Sequence, residues 1–289
     1  MILMKRTALT LTLVLIGLLA SVLLLTSPVK AQEPLNLTIK PDGSVEPSTN
    51  LLERNGSTYS FKGDIFGTIT VQTGYITIDG ANYTLDGNGN AGIDLTNGVF
   101  GNPSNPTIYN ITITNLIING TVVTDGGGND TFYNDYIRGI SLMGAGYNNI
   151  TYCTVNAIAM NYGADFNTIT ENNLNGALAY LSSNETVDRN YWSDYLTKYP
   201  NATEIDDTGI GNTPYVYSIV ETRTPIIYRD NHPLMNPVAI PLMGSNPLGT
   251  SSTVPEFPSW IILLFLTVMV TFVGLLVYFK KRKLELSPK

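Results

Sequence analysis

An apolar residue returns at Ile113, Phe132, Ile150, Ile169 and Val187, at intervals of 19, 18, 19 and 18 residues. Five residues after each stands a second one: Ile118, Ile137, Val155, Leu174 and Trp192. A period this short leaves no room for a helix in every repeat, and its irregularity does not suit a propeller blade. Short β-rich runs such as Ile111 to Thr114 alternate instead with Asn and Gly clusters, the pattern of brief strands and tight turns. Each repeat is then one coil, and successive coils stack as parallel strands about 4.8 Å apart. The expected fold is all-β, a parallel β-helix with N- and C-terminal caps.

The register makes further demands. Twenty-two Asn lie between Asn82 and Asn201, a residue that tolerates left-handed backbone angles and whose amide can bond its equivalent one coil away. Asn148 and Asn167, each two residues before an anchor, are expected to form one such step. Glu171 and Arg189, each two residues after an anchor, are expected to face each other across adjacent coils. Ile69 to Val71 and Tyr75 to Gly80 look like the first coils, Val99 to Pro106 like an inserted loop, and Leu35 to Phe61 like a cover for the open end that a solenoid must protect.

The two ends speak of location. Lys5 and Arg6, an apolar run from Ala8 to Leu25 and the small-residue site Val29-Lys30-Ala31 form a signal-peptide pattern with a mature start near Gln32; an uncleaved N-terminal anchor is the alternative. Trp260 to Phe279 is an apolar and small-residue run of 20 residues followed by Lys280, Lys281, Arg282 and Lys283. Such a run spans a bilayer once, and the basic cluster stays cytoplasmic. The expected organisation is a signal peptide (1–31), N-terminal cap (32–61), β-helix (62–195), C-terminal cap (196–236), Pro/Ser/Thr-containing linker (237–258), transmembrane helix (259–279) and basic tail (280–289). This places the β-helix outside a cell membrane, on a single-pass anchor.

Between Gln32 and Pro258 there are 8 Lys and Arg against 22 Asp and Glu, a net charge of −14. That surface repels phosphate backbones, so nucleic acid is not an expected partner. Cys153 is the one cysteine; no intramolecular disulfide can form, and no His or Lys lies beside it in sequence to activate the thiol, which reads as a small packed side chain.

The coils, together with Asn190-Tyr191-Trp192-Ser193-Asp194-Tyr195, the stretch Asp207 to Tyr215 and the closing Asp230-Asn231-His232-Pro233-Leu234-Met235, resemble the NosD-like right-handed β-helix proteins. Pro255-Glu256-Phe257 before the apolar span resembles a PEF-type C-terminal sorting signal of archaeal surface proteins, which an archaeosortase-like enzyme would process; a plain anchor is the alternative. The first resemblance implies a right-handed solenoid and leaves activity open, since the wider group includes carbohydrate-binding proteins, hydrolases and lyases. Its name-giving members serve copper-site maturation, but one His, one Cys and scattered Met supply no soft-metal cluster. In related proteins the loop before Gly-Ile-Gly suggests a calcium site. Here only Glu204, Asp206, Asp207 and the Asn212 amide are at hand, fewer oxygens than calcium prefers. Calcium, at Asp206 and Asp207, is the one cofactor left open.

Glycoside hydrolysis needs two carboxylates roughly 5 to 9.5 Å apart. The column two before the anchor, Ile111, Asp130, Asn148, Asn167, Glu185, separates its acids by three coils, about 14 Å. The column three after it, Leu116, Asp135, Cys153, Asn172, Asn190, holds one acid. If the chain is an enzyme, Asp79, Asp86 and Asp94 are the candidates, although Asp79-Gly80 and Asp86-Gly87 also read as turns. Seventeen Tyr residues offer sugar-stacking platforms, with Tyr133, Tyr152, Tyr162 and Tyr180 the chosen candidates, against the alternative of cross-strand structural pairs. Among nine Asn-x-Ser/Thr patterns, Asn36, Asn55 and Asn201 are the expected glycan acceptors. The expected role is non-catalytic binding of a polysaccharide or a surface protein, with a polysaccharide lyase or hydrolase and a purely structural envelope component as the rivals.

Overall fold

The computed structural model describes residues 33–96, 108–161, 163–176, 178–180, 184–219 and 226–240; the expected signal peptide, inserted loop and transmembrane helix lie outside these. The chain divides into a unit 1–244 and a unit 245–289, and all described residues belong to the first. Among the described residues no helix is long and apolar enough to cross a membrane.

The described chain is a parallel β-strand solenoid of two main sheets, one of twelve strands and one of eight. The anchors lie side by side in the eight-stranded sheet, with Ile113, Phe132, Ile150, Ile169 and Val187 paired in succession. Ile118, Ile137, Val155, Leu174 and Trp192 pair in the same order in the twelve-stranded sheet. Both files point inward and are buried, as alternation along a strand demands. Ile76–Asp79 joins the stack by pairing with Ile111–Thr114.

Between the sheets the chain turns twice through left-handed backbone. Three residues before the anchor, Tyr75, Asn110, Asn129, Tyr147, Phe166 and Asn184 have φ of 59, 58, 57, 61, 63 and 74°. Two residues after it, Asn115, Asn134, Tyr152, Glu171 and Arg189 have φ of 56, 59, 53, 57 and 55°. Just inside these corners run two buried ladders in which each side-chain oxygen accepts the backbone N–H of the coil before. In the first, Ile111 N–H donates to Asp130 Oδ1 (2.8 Å), Asp130 to Asn148 (2.9 Å), Asn148 to Asn167 (2.9 Å) and Asn167 to Glu185 Oε2 (2.7 Å). In the second, Leu116 N–H donates to Asp135 (2.9 Å), Cys153 to Asn172 (2.9 Å), Asn172 to Asn190 (3.1 Å) and Asn190 to Asp230 Oδ2 (2.8 Å). The expected Asn148–Asn167 step is present, and so is the Glu171–Arg189 pair, at 3.2 Å and exposed.

At the N-terminal end, Leu37–Ile39 pairs parallel with Ile69–Val71, while Leu52–Asn55 and Thr58–Phe61 form a hairpin whose second strand pairs parallel with Ile76–Asp79. This segment covers the core by extending both sheets. At the other end a one-turn helix, Tyr195–Lys198, and an antiparallel pair, Tyr215–Ile219 with Ile226–Asp230, follow the last coil. The Trp192 and Tyr215 rings stack at 4.1 Å.

Candidate functional site

The outward face of the eight-stranded sheet is unusually uniform. One residue before each anchor the register runs Thr58, Thr77, Thr112, Thr131, Asn149, Thr168, Thr186. One residue after, it runs Ser60, Asp79, Thr114, Tyr133, Thr151, Thr170, Asp188. Strand geometry sets each file's repeat at about 4.8 Å and the spacing between the files at roughly 6.6 Å. The result is a band made mainly of hydroxyls and methyls, which can donate, accept and make apolar contact, with Asn149 and Tyr133 within it and the carboxylates of Asp79 and Asp188 towards its two ends.

Aromatic rings border the band. On one corner Tyr147 and Phe166, 66% and 50% exposed, stack at 5.1 Å with 13° between planes. At the other, Tyr133 and Tyr152 meet edge to face at 5.8 Å. A hydrogen bond with Glu171 pushes the Tyr152 hydroxyl pKa upward. Of the four tyrosine candidates, the structure brings Tyr133 and Tyr152 together. Tyr180 lies on Leu178–Tyr180 of the twelve-stranded sheet, paired with Met160, and Tyr162 lies outside the described residues. Phe166 was missed because no search for tyrosine finds it, although its place three residues before an anchor marks it as a corner. The threonine file was equally readable, since Thr112, Thr131, Thr168 and Thr186 keep the period of the anchors.

The carboxylates are occupied elsewhere. Asp79 Oδ1 accepts the Ala81 N–H and the Asn115 amide, both at 3.0 Å, and Asn115 Oδ1 accepts the Asn134 amide at 2.7 Å. Asp79 therefore ends a chain of stacked amides. Asp86 and Asp94 close local turns onto Asn88 N–H and Thr96 N–H, both at 2.8 Å. The three do not converge, because Asp79 is on the eight-stranded sheet while Asp86 and Asp94 are eight residues apart on the other. Asp130 and Asp135 point into the core, where burial raises the Asp130 pKa to about 7 and the Asp135 pKa well above the carboxylate range. The Cys153 thiol is buried and its pKa raised for the same reason.

Of the calcium candidates, Glu204 Oε1 accepts the Gly209 N–H and Asn212 Oδ1 the Thr203 N–H, while Asp206 and Asp207 are exposed turn residues with φ of 45° and 55°. No group of three or more His, Cys, Asp and Glu able to hold a metal ion occurs among the described residues. The expected glycan acceptors Asn36, Asn55 and Asn201 are all exposed, though Asn36 Oδ1 accepts the Thr68 N–H at 3.1 Å. No protein-family model, curated protein or solved structure matches the chain.

Proposed function

We propose that this protein is a cell-surface β-helix, carried on a single C-terminal membrane span, that binds a polysaccharide along the outward face of its eight-stranded sheet without cleaving it. The observation that carries the reading is the pairing of a threonine-rich band with exposed rings on both borders, including Tyr133 with Tyr152 and Tyr147 with Phe166. Hydroxyls in a regular file suit a ligand that is itself periodic, and rings suit the apolar faces of sugars. The leader-like N-terminus and the apolar run before the Lys280–Lys283 cluster support export and anchoring. A right-handed coil and kinship with NosD-like proteins, with a PEF-type signal at Pro255-Glu256-Phe257, belong to the same proposal.

The test is a glycan array probed with the full-length protein in lipid nanodiscs, followed by incubation of any bound polysaccharide and measurement of its chain length. Binding that is lost in a Tyr133→Ala/Tyr152→Ala double variant, with chain length unchanged, supports the proposal. Shortening of the polysaccharide would replace it with a lyase or hydrolase, and failure to bind any glycan would leave a structural envelope role.

A further inference from the structure

The N-terminal end of the threonine band opens into a cleft of about 330 Å³ lined by Pro41, Asp42, Arg54, Ser57, Thr73 and Tyr75, among others. Ser57 directly precedes Thr58, the first residue of the band, and Tyr75 begins the corner column that later carries Tyr147 and Phe166. Two features of this cleft suit it to a ligand. Tyr75 is 74% exposed and holds a left-handed backbone, φ 59°, that a tyrosine adopts at a cost. Arg54, like Arg138, Lys198 and Arg229, has no carboxylate in ion-pair contact among the described residues, but of these it alone lines the cleft.

The guanidinium is nevertheless fixed. Its Nε–H donates to Gly56 O and Nη1 to Asp42 O, both at 3.0 Å, and it lies 5.8 Å from the Tyr59 ring centre. It fills the space over Gly43, where an added Cβ would collide with it. Five donors less these two leave three N–H groups, one on Nη1 and two on Nη2, for a carboxylate or sulfate. Asp42 Oδ1 is occupied by the Ser44 N–H and hydroxyl, bonds that hold its carboxyl below the usual range.

We infer that the cleft is an end subsite for a single anionic sugar residue, carboxylated or sulfated, at the terminus of an otherwise neutral polysaccharide lying on the threonine band. The Arg54 guanidinium takes the anionic group, the Asp42 carboxylate can accept a sugar hydroxyl, and the Tyr75 ring covers the sugar's apolar face. A polyanion does not fit. The body's net charge of −14 opposes a string of anions, while a Debye length of about 8 Å confines that opposition to near neighbours for one terminal group. This subsite rests on the polysaccharide-binding reading above.

The experiment compares cellotetraose, the same oligosaccharide ended by glucuronate, and the same ended by glucose 6-sulfate, each titrated calorimetrically into the full-length protein in nanodiscs. At least one anionic end is expected to tighten binding by about tenfold or more over the neutral chain, and the two anionic arms show which group the guanidinium prefers. Arg54→Gln should erase that preference and leave neutral binding in place. Since Arg54 also ties down two carbonyls, Tyr75→Asn is the second variant. Asn occupies the same corner at Asn110, Asn129 and Asn184 with the same backbone, so the fold keeps its stability, and the anionic preference should fall with the lost ring. Equal affinity for all three ligands, or a preference that survives Arg54→Gln, overturns the subsite and leaves the band reading intact. Loss of neutral binding in Tyr133→Ala/Tyr152→Ala with the anionic preference retained would remove the band and leave the subsite.

Discussion

One corner of the solenoid is built twice with different residues. Asn110, Asn129 and Asn184 turn the chain with φ of 58, 57 and 74°, and Tyr75, Tyr147 and Phe166 do so with 59, 61 and 63°. The backbone is the same, yet only asparagine enters it readily. A bulky L-residue there carries a steric cost of roughly 1–2 kcal/mol. The asparagines also gain from stacking, since the Asn129 amide donates to Asn110 Oδ1. On the proposed reading, the aromatic positions of this corner serve a ligand and the asparagine positions, which alternate with them along the column, serve the fold.

The contrast sharpens one layer inward, where every side chain is structural. Asn190 is fully buried, accepts the Asn172 N–H, and donates to Ile169 O at 2.8 Å and Asp188 O at 3.1 Å. Asn190→Ala strands a buried N–H and two carbonyls, each costing about 1–3 kcal/mol, so a loss on the order of 4 kcal/mol is expected in urea unfolding. An Asn129→Ala change at the exposed corner, which loses the left-handed preference and one exposed amide contact, should cost only about 1–2 kcal/mol. Equal losses at the two sites would erase the distinction between inner and outer columns.

Asp130 tests the same ladder by pH. It holds the rung that Asn148 and Asn167 hold on the next coils, and burial raises its pKa from 3.8 to about 7. The folded state thus keeps a proton that the unfolded chain has released. Its contribution to stability is full below pH 3.8 and is lost progressively as pH rises to about 7. Asp130→Asn, which supplies the neutral amide, should flatten that part of the stability curve and raise stability at pH 8 by roughly 2–3 kcal/mol. An unchanged slope between pH 4 and 7 would mean that Asp130 is ionised in the folded protein.

The anchors, both ladder columns, the Asn148–Asn167 step and the Glu171–Arg189 contact were legible because a coil repeats its geometry, and counting from one anchor reaches the same place on the next. Whatever breaks the period was not. Asp230 closes the second ladder from 40 residues beyond Asn190 and also accepts the Trp192 indole N–H at 3.0 Å, and nothing in an 18-residue rhythm points to it. The cleft is likewise assembled from a hairpin and a turn, Asp42 to Tyr59 with Thr73 to Tyr75. Tyr180 shows the opposite limit, since composition alone named it while its sheet depended on a coil whose spacing had drifted. Asp79 read as a turn residue and is one, but its second task, ending the amide chain from Asn134 through Asn115, needed three coordinates at once.

The smallest effects decide the comparison between the aromatic and asparagine positions of the corner. Replacing Tyr147 and Phe166 together by Asn removes a stacked pair worth about 0.5–1.5 kcal/mol and relieves two left-handed backbones worth roughly 1–2 kcal/mol each. Thermal unfolding should show no loss of stability and a gain of about 1 kcal/mol, while polysaccharide affinity falls. A marked loss of stability with affinity unchanged would make these rings a structural clasp and undo the functional reading of the corner. Glu171 and Arg189 make the same backbone turn on the opposite corner, with φ of 57° and 55° and an exposed contact at 3.2 Å, and Glu171 also hydrogen-bonds the Tyr152 hydroxyl. An exposed pair contributes about 0–1 kcal/mol and less in salt, so Glu171→Asn should trade a weak attraction for a backbone that asparagine prefers. Its net change is expected to lie near zero at low salt and to become stabilising at 1 M NaCl, where screening removes the attraction and leaves the relieved strain.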